Sequence, residues 1–151
     1  MTIFNSKTAL GQDMVPSLNT KVGAVIAYEY VTTAVLAAGD IIKLGTLEAN
    51  VKPLHCALVT DDLDTGGSPA ITLTAGILNA AGTDIDAAAT SSWITASTIG
   101  QAGGYAPSTS GNAYLSGASS VNRQLGIKVV AGPATSAVAG KKIALLVTAG
   151  G

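Results

Sequence analysis

Apolar residues in this chain never run long: they come in short stretches, each stopped by a cluster of Gly, Pro, Asp, Asn or Ser. Ala37-Ala38-Gly39-Asp40, Asp61 to Ser68 and Asn79 to Asp84 are such stops, rich in residues that turn a backbone. Between them lie Val22 to Leu36, Ile41 to Glu48, Pro53 to Thr60, Pro69 to Leu78, Leu125 to Val130 and Lys141 to Thr148. These runs favour β-branched and aromatic residues, which suit a pleated surface. Many short strands with regular turn signals specify an all-β chain, either a β-sandwich or a jelly-roll-like barrel. There is no heptad, no internal repeat and no βαβ alternation.

The runs carry particular expectations. Val22 to Leu36 reads as one long strand or two with a bend. Within the second run Ile42, Leu44 and Thr46 should face one way. Within the fourth, Ile71, Leu73 and Ala75 alternate with Thr72, Thr74 and Gly76, so one face should be buried and the other coated with threonine. The Ala/Ser/Thr-rich segment from Ile85 to Ala102 predicts one short helix near residues 90–101, capped by Asp86 or Thr90 and ended by Gly103-Gly104. Tyr105 to Ser120 reads as a surface loop with a short strand near Tyr114-Leu115. Residues 1–20 lack a clear period and read as an extended N-terminal arm; residues 21–151 form one sandwich domain. The apolar groups on the arm (Ile3, Phe4, Leu10, Met14, Val15, Leu18) favour docking on another surface.

Charge constrains the surface. Only 11% of the 151 residues are Asp, Glu, Lys or Arg, while 48% are hydrophobic; about 25% charged is usual. The formal net charge is −1. A monomer so weakly charged is prone to associate, so the surface is expected to be covered by copies of the chain or by a larger assembly, the alternative being a poorly charged monomer. Eight basic against nine acidic residues, with no basic run, give no footprint for nucleic acid. No stretch approaches the ~20 apolar residues of a membrane helix, and the N-terminus lacks the pattern of a secretory signal, reading as a mature cytosolic start.

Catalytic and metal chemistry find little to work with. His55 is the one histidine and Cys56 the one cysteine. As neighbours on a strand they point to opposite faces, so they cannot pair as base and nucleophile. Cys56, set in an apolar run, reads as a buried thiol. Zinc needs three or four ligands that the chain does not supply. Asp61, Asp62 and Asp64 lack the order of a calcium loop and read as turn chemistry. No glycine pair matches a phosphate loop, and no Gly-x-Ser-x-Gly elbow occurs. The expectation is no enzyme activity and no cofactor.

Three segments carry a resemblance: the strand with Tyr28-Glu29-Tyr30, the unit from Ala57 to Leu73, and the closing run from Leu125 to Val147, taken as a hairpin. Together they resemble head decoration, or cement, proteins of tailed bacteriophages. The resemblance implies a β-sandwich or jelly-roll protein, often trimeric, made in the host cytoplasm. It implies binding to the outside of the capsid at junctions between major capsid subunits, and a terminal arm that reaches neighbours. On that footing Ile3, Phe4, Leu10, Met14 and Val15 are candidate capsid or subunit contacts. Tyr105 and Tyr114 join them because aromatic groups are enriched at interfaces; Trp93 is better placed in the core. The competing readings are a carbohydrate- or receptor-binding sandwich, in which Tyr105 and Tyr114 stack on a sugar, and another virion component such as a tail or spike protein.

Overall fold

The structure, a computed structural model, describes residues 1–6, 24–135 and 139–150. Its strands are β1 (Ile3–Asn5), β2 (Ala24–Val31), β3 (Ile41–Leu47), β4 (Lys52–Thr60), β5 (Thr72–Ile77), β6 (Ser92–Ser97), β7 (Gly104–Pro107), β8 (Arg123–Ala131) and β9 (Lys142–Gly150). A 3-10 turn spans Ile99–Gln101 and a single helical turn, α1, spans Asn112–Leu115.

Two sheets result, in the orders β1-β3-β8-β5-β6 and β2-β9-β4-β7. Pairing is nested: β2 with β9, β3 with β8, β4 with β7 and β5 with β6, all antiparallel. A chain paired this way and rolled up is a jelly roll, which meets the expectation of an all-β sandwich. The run from Leu125 to Val147 is therefore not a hairpin. β8 and β9 lie in different sheets, because β9 closes the roll against the first of the nested strands.

The sandwich core forms where the inner faces meet, and Tyr28, Leu58, Leu125, Ile127, Leu145 and Trp93 are all buried in it. Burial pushes the Tyr28 hydroxyl up to about 12, with the charge of Glu48 adding to it. Its proton goes to the Thr46 carbonyl at 3.2 Å. β2 alternates strictly between core and exterior, but β3 does not. A bulge at Leu44, between Lys43 and Gly45, shifts the phase so that Leu44 and Leu47 are buried and Thr46 faces out.

The threonine coat expected on β5 is also absent. Thr74 is buried and Thr72 half-buried, because β5 sits between β8 and β6. Their hydroxyls serve irregular pairing: Thr72 Oγ1 accepts the Ala131 N–H and Thr74 Oγ1 the Ala96 N–H, both at 3.1 Å. Each donor lies where the register slips, and Ala96 there takes φ 48°.

The helix lies elsewhere than expected. Residues 92–97 form β6 because Trp93 and Ile94 have a core to fill and β5 an edge to pair. Asp86 makes a local turn instead of a helix cap, its Oδ1 accepting the Ala88 N–H at 2.9 Å and the Ser91 hydroxyl at 3.2 Å. Gly103 still closes the segment, at φ 75°, but it closes the 3-10 turn through a 2.8 Å bond to the Ile99 carbonyl. The helical turn falls at Asn112–Leu115, where a strand was expected.

β1 pairs in parallel with β3. Asp40, which is buried, takes the Thr2 N–H at 2.6 Å and the Ala37 N–H at 2.8 Å, and Ser6 N–H reaches the Lys43 carbonyl at 2.7 Å. The remaining arm residues, Leu10, Met14, Val15 and Leu18 among them, lie outside the described residues.

Candidate contact surface

Directly opposed residues on neighbouring strands share a face, so register alone builds the exterior of the four-stranded sheet. Val25, Ala27, Glu29 and Val31 on β2 lie opposite Thr148, Leu146, Ala144 and Lys142 on β9. Thr148, Leu146 and Ala144 lie opposite His55, Ala57 and Val59 on β4. Ala57 and Val59 lie opposite Pro107 and Tyr105 on β7. This exterior is mostly aliphatic, with Glu29 and Lys142 as charged groups, Asp61 opposite Lys142 at one end, Lys52 opposite Gly150 at the other, and His55 between them. Its margins are open, Val25 being 66% and Tyr105 59% exposed.

The exterior of the five-stranded sheet differs. The segment after β5 folds back over it, bridged by Leu78 to Ile85. Lys128 Nζ meets the Asp84 carboxylate at 2.7 Å, and that contact holds the Asp84 carboxyl below the usual range. A side chain at Gly126 would come within 2.6 Å of Leu78 and 2.7 Å of the Ile42 carbonyl. One outer face is thus capped in part by the chain itself, and the other is bare among the described residues.

The sequence-predicted contact residues divide. Tyr105 lies on the bare face. Tyr114, on α1, is 52% exposed, and the Lys52 ammonium sits 3.6 Å from its ring centre, a cation–π pair. Lys52 begins β4 while Val59, opposite Tyr105, lies seven residues on, about 23 Å along the strand. The two tyrosines therefore do not form one stacking platform. Ile3 and Phe4 are half-buried on β1, and the Phe4 ring lies 5.9 Å from that of Tyr30. Trp93 is fully buried. The aliphatic members of the face, Val25, Ala27, Val59 and Leu146, were not singled out from sequence. Their signal is the run of apolar residues at both parities in Ala57-Leu58-Val59 and Ala144-Leu145-Leu146-Val147, the mark of a strand with two apolar faces.

Other chemical groups are committed. His55 is exposed and Cys56 buried, on opposite sides of β4, and burial pushes the Cys56 thiol up to about 11 against a smaller opposing bond from Ser108. Asp64 accepts the N–H groups of Ala70, Ile71, Ala134 and Thr135 at 2.6 to 3.1 Å. Asp62 accepts the Asp64 N–H, and Asp61 the Lys142 N–H. Among the described residues no three His, Cys, Asp or Glu side chains gather in a metal-ligating group. A cleft of about 600 Å³ is lined in part by Asn79, Asp86 and Arg123. The Arg123 guanidinium donates through Nη1 and Nη2 to the carbonyls of Val51, Ser116 and Gly117 at 2.9 to 3.3 Å, pinning the loop after α1 to the start of β4.

Two solved structures resemble the whole chain. A chain in the capsid of Ralstonia phage GP4 is 38% identical, with a TM-score of 0.87, over 99% of this chain and 97% of that one. A chain in the capsid asymmetric unit of cyanophage Pam1 is 26% identical, with a TM-score of 0.63, over 91% of this chain and 94% of that one. No protein-family profile matches the sequence, and no curated protein matches it.

Proposed function

This chain belongs to a family of phage capsid proteins, that of the matching chain in the Ralstonia phage GP4 capsid, and from that premise we propose that it is a head decoration, or cement, protein. It binds the outside of the assembled head, where it bridges junctions between major capsid subunits as a small homo-oligomer, a trimer by the resemblance. Its role is structural and not catalytic. The observation that carries this reading is the near full-length similarity to a capsid chain, in a weakly charged jelly roll with an apolar face that no described residue covers.

The mechanism is mass action. A protein that binds the assembled shell and not its separated subunits stabilises the shell by about 2.7 kcal/mol per site at a hundredfold excess over Kd. Repetition over a symmetric shell, with several contacts per oligomer, raises the effective affinity further. The proposed capsid contacts are Leu10, Met14 and Val15 on the N-terminal segment and Tyr114 at the α1 end, with Ile3 and Phe4 fixing the start of that segment to β3.

Co-sedimentation with purified heads tests this. The wild-type chain should pellet with heads and raise the temperature at which they release DNA. A variant carrying Leu10→Ser, Met14→Ser and Val15→Ser, which leaves β1 intact, should bind at least about tenfold more weakly. Absence of wild-type binding to heads would refute the reading.

A further inference from the structure

We infer that the outer face of β2-β9-β4-β7, which no described residue covers, is the surface through which copies of this chain associate. The inference deepens the decoration reading and rests on it for its biological setting. Three strands of eight or nine residues about 4.8 Å apart, flanked by the four-residue β7, give a face of roughly 450 Å², comparable to the largest apolar patch on most monomers. The opposite sheet shows what this chain does with an exterior it keeps for itself: Leu78 and the segment to Asp84 cover part of it, and Lys128 pairs with Asp84.

Charge complementarity selects a second copy as the occupant. The face carries Glu29 on β2, Lys142 on β9, Lys52 at the start of β4 and Asp61 just past its end, so it presents both signs on an aliphatic ground. A second copy brings the same set, and Glu29 of one can meet Lys142 or Lys52 of the next without importing net charge. A formal net charge of −1 offers little long-range repulsion between copies. A face of roughly 450 Å² falls short of the ~800 Å² per partner of a stable interface. The contact must therefore run past the face onto an edge, and β7, with Tyr105 at its open margin, is that edge.

Sedimentation velocity of the free, full-length chain at micromolar concentration tests this without capsids. The wild type should sediment as a multiple of 14.8 kDa. Leu146→Lys, at the centre of the face, and Ala27→Glu, nearer its margin, should each weaken association at least about tenfold while circular dichroism stays that of the wild type. Glu29→Lys should weaken association and Lys142→Glu added to it should restore it. Val130→Lys, exposed on the other sheet, should change nothing. A monomeric wild type, or folded Leu146→Lys and Ala27→Glu variants that keep the oligomer mass, would overturn the inference. A chain that associates as described yet never binds heads would refute the decoration reading and leave this one standing.

Discussion

Asp64 shows how few charged residues this chain needs when each is well placed. Its carboxylate, buried between the turn after β4 and the segment after β8, collects four backbone donors, which hold its pKa far below the usual aspartate range despite the opposing effect of burial. A carboxyl depressed in the folded state stabilises the fold above the ordinary aspartate pKa near 3.9, and that contribution fades as pH falls below it. Asp64→Asn should lower Tm at pH 7 by more than Asp62→Asn, whose carboxylate takes one backbone donor among the described residues. It should also flatten the loss of stability between pH 4 and pH 2, measured by thermal unfolding across pH; an unchanged acid limb would contradict this role. The turn chemistry of Asp61 to Asp64 was legible in the sequence, as were the separation of His55 from Cys56 and the burial of Trp93. That Asp64 reaches residues 134 and 135 was not, because nothing local encodes a contact seventy positions away.

Elements were legible wherever a period-2 pattern met a turn signal. β2, β3, β4, β8 and β9 fall within a few residues of the expected spans. Failures came where tertiary pairing overrides composition: Ser92–Ser97 is strand because β5 offers an edge, and Leu125 to Val147 splits between sheets because nesting is a property of the whole chain. Bulges are equally hidden, since Thr46 turns outward through one extra residue at Leu44. Gly76 exposes the same dependence on neighbours. A Cβ there would collide with the Ser91 carbonyl oxygen and approach the Trp93 amide nitrogen at 3.1 Å. Gly76→Ala should therefore cost about 1–3 kcal/mol through forced separation of β5 and β6, whereas Gly67→Ala, with open space around it, should stay within about 0.5 kcal/mol. Equal costs in chemical denaturation would contradict the close packing at β5.

At the scale of the molecule, the low charge and the architecture explain each other. A jelly roll has two outer faces; this chain caps one in part with its own loop and leaves the other aliphatic, which suits a protein that works among copies and against a shell. The sequence conveyed a weakly charged surface through composition and the phage setting through resemblance, yet it pointed to an arm and two tyrosines and not to the sheet face, whose members come together only through register across four strands. We propose attachment to the exterior of a phage head. Cryo-electron microscopy of heads assembled without this chain and then incubated with it tests that most directly. Ordered density of jelly-roll size on the outer surface at junctions between capsid subunits is the predicted result; heads unchanged at saturating protein, or density confined to the interior or the tail, would contradict it.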